Sequence, residues 1–316
     1  MLSGIRPSYL SDKAVIINIK TNRIMQNNFS FDRHCQIIIH TPHAGTNLPI
    51  YFVVPRHGDA IKHNNFKRRF IRPFYEQLTD HYTDKLFSAI AEGPYTNLGE
   101  RIKHISFSYS RLFCDVERLL EDPLEEKGLG IHYDFEKITG TNYNKEWSKD
   151  RNFAMDLYKE HQGKIFTAIN AAQSYWVSGL PLLLDCHSFS ERDNVLCPNA
   201  HEYKDIDICI GFNADETKPS EECIESIKKF FTACGYRVEC NVPFSNSKTI
   251  QYCRCKAFEF YYSFKEKVGC YPIKYHSLML EVNKHCYMNE DTLEITAGYY
   301  KLHSELQQLY HLLLNS

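Results

Sequence analysis

The side chains best suited to chemistry in this sequence gather where apolar runs stop. Leu180 to Leu184 leads directly into Asp185, His187, Ser188 and Ser190, and the apolar run 37–39 leads into His40 and His43. An imidazole fixed at such a place has three uses: metal ligand, general base, or structural donor to a backbone carbonyl. The local sequence leaves all three open. His40 and His43 are three residues apart across a Pro-containing turn, a spacing that can bring both rings to one point. Glu281 stands among Leu278, Met279, Leu280 and Val282, where a carboxylate is costly unless it is paired or bound to a metal.

Further charged groups carry two readings each. Asp80 and Asp84 lie one helical turn apart, either as neighbouring carboxylates aimed at one point or as a solvated acidic face. Arg111, Asp115 and Glu117 share one face of an extended segment by period two, with Arg118 at its end. They make either an internal Arg–Asp pair or a guanidinium fork for a substrate carboxylate. Asn241 and Thr249 flank a polar loop at 243–247, the kind of segment that touches ligands. His161 belongs to a helical stripe with Tyr158, Ile165, Phe166 and Ile169, which favours a core or cleft-edge role.

The elements that must position these groups alternate. Strands are predicted at 36–40, 105–109, 180–184, 207–211, 236–242 and 277–283, with 110–118 as a further extended segment. Helices are predicted over 64–92, 150–175, 221–234 and 293–314. The unbroken apolar character of 37–39 and 180–184 suits strands covered on both faces, and strand–helix alternation of this kind builds a parallel sheet. Ligands of such sheets sit at the carboxyl ends of the strands, where Asp185, His187, His40 and His43 fall. Residues 1–33 are polar and Asn-rich, with one apolar run at 14–19 for an edge strand or hairpin arm.

Composition removes several function classes. The 316 residues carry 37 Lys and Arg against 39 Asp and Glu, a net charge of -2, so there is no basic field for a phosphate backbone and nucleic acid is not an expected partner. The local cluster Lys67-Arg68-Arg69 with Arg72 reads as a solvated face. The twelve cysteines are scattered, and the first twenty residues have no signal-peptide layout, which predicts reduced thiols and a cytoplasmic protein. Cys253-Arg-Cys255 has no second pair at zinc-finger spacing. No apolar run approaches the roughly 20 residues of a membrane span.

Five segments taken together and in order carry a resemblance: His-Thr-Pro-His-Ala-Gly (40–45), Thr-Asp-His-Tyr-Thr-Asp-Lys-Leu-Phe (79–87), Ser-Arg-Leu-Phe-Cys-Asp-Val-Glu-Arg (110–118), Asp-Cys-His-Ser-Phe-Ser (185–190) and Met-Leu-Glu-Val-Asn-Lys-His-Cys-Tyr-Met-Asn-Glu (279–290). Over residues 36–312 the chain resembles the N-formylglutamate amidohydrolase family. That family is related in fold to the zinc carboxypeptidases, whose His-Ser-aromatic-Ser segment and late-strand Glu are similar to 187–190 and Glu281.

The resemblance implies an α/β fold: a single-domain, mixed, largely parallel sheet flanked by helices. It divides the chain into an N-terminal extension or edge hairpin (1–33) and a catalytic domain (34–316), with 121–175 as lid and connecting helix. It implies one divalent metal ion, zinc before cobalt or another, held by His43, Asp80 and His187, with His40 or Asp84 as alternatives to Asp80 and a fourth position open to water. Glu281 is the implied general base. Arg111 and Arg118, with Asn241 and Thr249, are the implied contacts of a small N-acyl amino acid, which would be split into formate and glutamate. A carboxypeptidase or deacylase of the same fold and a non-catalytic binding protein are the alternatives. A nucleophilic hydrolase using Ser188 or Cys186 is disfavoured, because no Gly-x-Ser-x-Gly frames either residue.

Overall fold

The computed structural model describes residues 37–48, 72–89, 101–120, 122–140, 151–175, 180–245 and 274–315. Residues 1–33, the Lys67–Arg69 cluster, Thr249 and the Cys253/Cys255 pair lie outside the described residues. Along the chain the main elements are β1 (Ile37–Thr41), α1 (Arg72–Leu78), α2 (Thr83–Leu86), β2 (Ile102–Ser106), α3 (Arg151–Tyr175), β3 (Leu182–Phe189), β4 (Ile208–Gly211), α4 (Glu221–Ala233), β5 (Val238–Cys240), β6 (His276–Asn283) and α5 (Ala297–Asn315). The described strands form a six-stranded sheet in the order β2-β1-β3-β6-β4-β5. Neighbours run parallel except β4 against β6. The architecture is the mixed, largely parallel α/β sheet expected.

Both faces of the sheet are covered, which is why its central strands lack polar alternation. Every residue of β1 and of β3 is buried. Ile37, Ile39, Leu182, Leu184, Cys186, Leu278, Leu280 and Val282 face one way and pack with Ile224, Ile227 and Phe231 of α4 and with Leu302, Leu306, Leu309 and Leu313 of α5. Each such side chain, fully buried, contributes about 1.5–3 kcal/mol. The α4 stripe starts cleanly because Ser220 Oγ accepts from the Cys223 N–H at 3.2 Å, and it stops at Gly235, whose φ of +94° suits a residue without Cβ.

The opposite face changes character along its length. At the amino ends of the strands, Ile38 and Leu183 pack against Ile165, Ile169 and Ala172 of α3. Side chains two residues further along a strand share that face, so His40, Asp185 and His187 follow on it. Register aligns the strands here: His40 lies beside Asp185, and His187 beside Glu281. One face of one sheet is thus apolar at one end and chemical at the other.

Three predicted elements differ. Residues 110–118 form turns: the N–H groups of Phe113 and Cys114 both donate to the Ser110 carbonyl, and the Asp115 N–H donates to the Ile131 carbonyl. The predicted 64–92 helix is interrupted within its described part at residues 79–82. There the Asp80 N–H donates to the His43 carbonyl at 3.0 Å, and Tyr82 takes a left-handed conformation with φ 67°. Apolar spacing reports which side chains are buried, and it is blind to a backbone bond made to another segment. Strand β2 lies three residues before its predicted position.

The described cysteines carry free thiols, with Cys186 and Cys209 buried as small hydrophobes. No described helix is long and apolar enough to cross a membrane.

The turn after β1 is held by a close approach. A Cβ on Gly45 would stand 2.4 Å from the Tyr109 carbonyl oxygen and 2.5 Å from that of Phe107. Gly45→Ala is therefore expected to destabilise the protein by roughly 1–3 kcal/mol, the usual cost of forcing atoms into a packed region. Urea unfolding of the two proteins measures this, and unchanged stability would mean that the turn yields without cost.

Candidate functional site

The two imidazoles that end the apolar runs meet. Their ring centroids are 5.0 Å apart, and Asp80 Oδ2 lies 3.6 Å from His43 Nδ1 and 3.4 Å from His187 Nδ1. One ligand atom from each of His43, Asp80 and His187 falls within 4.8 Å of the others. The outer nitrogens are held by carboxylates: His43 Nε2 by Asp115 Oδ1 at 2.9 Å, and His187 Nε2 by Asp185 Oδ1 at 3.1 Å. A carboxylate can only accept, so each Nε2 carries a proton, and each Nδ1 faces Asp80 Oδ2.

Two nitrogens and one carboxylate oxygen then converge. His43 Nδ1 and Asp80 Oδ2 are buried and have no hydrogen-bond partner. Acceptors crowded without a donor repel, so the cluster calls for a cation or a proton at its centre. A carboxylate behind each imidazole is also the usual support of metal-binding histidines. Two nitrogens and one carboxylate oxygen match the donor set of a catalytic zinc site with room for a further ligand. His43, Asp80 and His187 are the residues that could hold such an ion.

The titration of the neighbouring groups answers to the same surplus of negative charge. Burial opposes the imidazolium of His187, but Glu117 and Asp185 outweigh it and hold its pKa well above the ordinary histidine value. Burial would raise the pKa of Asp80, and its contacts with His187 and His43 reverse that and keep it ionised. Asp115 is likewise buried and held ionised, by Arg111 and Arg118. Glu281 goes the other way: burial, with Asp80 and Glu117 nearby, pushes its carboxyl up to about 8 against the pull of His187. Its Oε2 is buried without a partner.

A cavity of about 220 Å³ opens over these groups, and its lining includes His43, Asp80, His187, Glu281, Arg111, Arg118 and Lys284. Arg111 donates from Nε and Nη2 to Asp115 Oδ2 at 3.3 and 2.9 Å. Arg118 Nε stands 3.4 Å from the same oxygen, without a hydrogen bond. The internal Arg–Asp pair and the cavity-facing guanidinium were set against each other as readings; here they coexist, with two arginines sharing one carboxylate.

The other expected groups fall elsewhere. Asn241 is away from the cavity wall: its Oδ1 accepts from the Phe212 N–H at 2.9 Å, and Pro243 and Phe244 of the same loop line the cavity instead. His40 cannot serve as third ligand, because Nδ1 donates to Asp185 Oδ1 at 2.7 Å and Nε2 meets His161 Nε2 at 2.8 Å. Asp84 belongs to a separate short helix beyond the break and does not line the cavity. From the expected lid region, Leu124 reaches the wall. Cys186 points into the apolar core, and burial pushes its thiol well above the usual range, which unfits it as a nucleophile.

Sequence reasoning missed two cavity residues. Glu117 places Oε1 3.3 Å from His187 Nε2 and Oε2 3.7 Å from His43 Nε2; it had registered only as one charge of a strand face. Lys284 follows β6 directly and lies in the wall beside Glu281. Its signal was a lysine three residues after a strand-borne glutamate, at the end of the sheet where ligands collect.

Comparison with known proteins gives the family. The family model described as N-formylglutamate amidohydrolase matches residues 35–288, a span that includes His43, Asp80, Arg111, Arg118, His187 and Glu281. Among curated protein sequences, none matches the chain. Among solved structures, the N-formylglutamate amidohydrolase of Ralstonia eutropha has a similar fold, with a TM-score of 0.61, 17% identity and coverage of 89% of this chain and 94% of that one. A gene product of Agrobacterium tumefaciens is also similar, with a TM-score of 0.52, 12% identity and coverage of 88% and 89%. At these identities the two structures speak for the fold, and the family model, which spans most of the chain, speaks for membership: this chain belongs to the N-formylglutamate amidohydrolase family.

Proposed function

We propose that the protein hydrolyses the amide of N-formyl-L-glutamate, or of a closely related N-acyl amino acid, to formate and the free amino acid, and that it does so with one divalent metal ion, zinc in the first instance. The observation that carries this reading is the convergence of His43 Nδ1, His187 Nδ1 and Asp80 Oδ2, the first and last of them buried without a hydrogen-bond partner, beside a carboxyl with a raised pKa. His43, Asp80 and His187 would hold the ion. When bound, such an ion polarises the amide oxygen and acidifies water at its open position.

The protein's own groups supply the rest. Glu281 takes a proton from the attacking water at Oε2 and returns it to the leaving nitrogen, so that glutamate departs as an amine and not as an amide anion. Its raised pKa matches that double duty better than an ordinary carboxylate would. Asp115 and Asp185 fix the ring orientation and tautomer of His43 and His187 through Nε2. Arg111 and Arg118 hold a substrate carboxylate: Asp115 neutralises one of the two guanidinium charges and leaves the other for the ligand. The cavity, about 220 Å³, suits a small N-acyl amino acid and not a folded protein segment.

Formate release from N-formylglutamate, measured with bound metal by elemental analysis, tests the reading directly. His187→Ala should abolish turnover and metal retention in a protein that stays folded. Glu281→Gln should lower kcat by roughly 100- to 10,000-fold with metal still bound. Normal turnover in both variants would end the mechanism.

Support by the outer carboxylates makes a separate expectation. Asp185→Asn or Asp115→Asn should weaken metal binding about 10- to 100-fold in a competition titration with a chelator. Unaltered affinity would mean that the two carboxylates serve packing alone.

Glu281 also predicts a pH dependence of stability in metal-free protein. A folded-state pKa of about 8 lies above the unfolded value near 4.5, so the stabilisation is fully present below that ordinary value and is lost as pH rises through about 8. Urea unfolding at pH 6 and pH 9 should therefore show a larger drop for the parent protein than for Glu281→Gln. Parallel pH profiles would place the Glu281 pKa outside this range.

A further inference from the structure

Lys284 is a buried cation in the cavity wall for which the proposed reaction has no use. It opens the short 3-10 turn Lys284–Cys286 after β6 and is 2% exposed. Its Nζ donates to the Gln77 carbonyl of α1 at 2.8 Å, and among the described residues no carboxylate forms an ion pair with it. An ammonium has three donors, so one neutral acceptor leaves most of its capacity unmet. Burial lowers its pKa, while Asp80 and Glu290 act the other way.

The other cations of the wall differ. Arg111 and Arg118 share Asp115. Asp80, whose charge reaches Lys284, is committed to the His43–His187 cluster. A buried ammonium that no described carboxylate contacts is costly, and an anion entering the cavity would supply that contact.

We propose that Lys284 is a specificity-determining residue that takes one carboxylate of a dicarboxylic N-acyl amino acid, while the Arg111–Arg118 pair takes the other. This assignment rests on the amidohydrolase reading above and names the residue that would recognise the second carboxylate of its substrate. With Lys284 and the arginines all in the cavity wall, an N-acyl derivative of a neutral amino acid leaves one buried cation unpaired, and that penalty is the source of discrimination. The Gln77 carbonyl holds the ammonium in place before substrate arrives.

The test compares the metal-loaded full chain with Lys284→Met and Lys284→Gln on three substrates: N-formylglutamate, N-formylglutamine with its side chain neutral, and N-formylisoglutamine with its α-carboxylate neutralised. Each variant should lower kcat/KM about 10- to 100-fold for N-formylglutamate and for one of the two amides, the loss expected when a charge-assisted hydrogen bond goes. The other amide, already lacking the carboxylate that Lys284 binds, should be unaffected. Lys284→Arg should retain the preference in part. Equal loss on all three substrates would assign Lys284 to structure or chemistry and overturn the proposal.

Binding provides a readout independent of turnover. Glutarate should raise the melting temperature of the parent protein more than butyrate does, and that excess should vanish in Lys284→Met and Lys284→Gln. An equal glutarate effect in all three proteins overturns the proposal. A Lys284-dependent glutarate effect without formate release from any of the formyl compounds keeps the dicarboxylate subsite and removes the formyl-hydrolysis reading. Formate release that ignores Lys284 does the reverse.

Discussion

Negative charge that must be compensated inside a water-poor space governs this site. Asp80, Asp115, Asp185 and Glu117 crowd around His43 and His187 at the carboxyl end of the central strands, all of them buried or nearly so. Each carboxylate is tolerated because a specific positive or donating group meets it. Asp115 receives His43, Arg111 and Tyr133; Asp185 receives His40 and His187. Asp80 faces two imidazole nitrogens across 3.4 and 3.6 Å without a hydrogen bond to its Oδ2. The unmet oxygen marks where a cation belongs in the proposed reaction.

That arrangement depends on the sheet. Parallel pairing of β3 with β1 and β6 fixes His40 beside Asp185 and His187 beside Glu281. A one-residue slip of β6 would turn Glu281 toward the α4–α5 core and bring Leu280 or Val282 to the site. The apolar contacts that prevent the slip are those of Leu278, Leu280 and Val282 with the main core. Packing on one face of β6 thus sets the chemistry on the other. The groups contributed by turns, His43 and Asp80, are tied to each other by the Asp80 N–H bond to the His43 carbonyl. Two segments about forty residues apart therefore move as one.

Sequence spacing read the strand-borne half of this site well. A run such as Ile37–Ile39 or Leu182–Leu184 ending in His or Asp states both burial and position, because strand geometry has a period of two and little freedom. His187, Asp185, His40 and Glu281 are all legible for that reason, and the buried Oε2 of Glu281, which a carboxylate in an apolar strand would be expected to have paired, has no hydrogen-bond partner. The turn-borne half was less legible. Residues 110–118 were read as extended, yet the four charges of that segment still converge, since Arg111 and Asp115 meet across a turn at i and i+4. Glu117 escaped because nothing in its own neighbourhood distinguishes a cavity charge from a solvated one, and Lys284 offered only its place just past a strand-borne glutamate.

Residue types and their spacing determined the α/β class, the strand ends as the place for chemistry, and the family, because covered strands demand unbroken apolar runs and the five motifs occur in fixed order. Only the tertiary structure decided which charges neutralise one another. It committed both ring nitrogens of His40 to Asp185 and His161, turned Asn241 to cap the Phe212 N–H, made Asp115 the shared partner of two arginines and a histidine, and left Lys284 with a single carbonyl. Pairings of this kind join residues far apart along the chain. They follow from burial and close approach in three dimensions, which local periodicity does not encode.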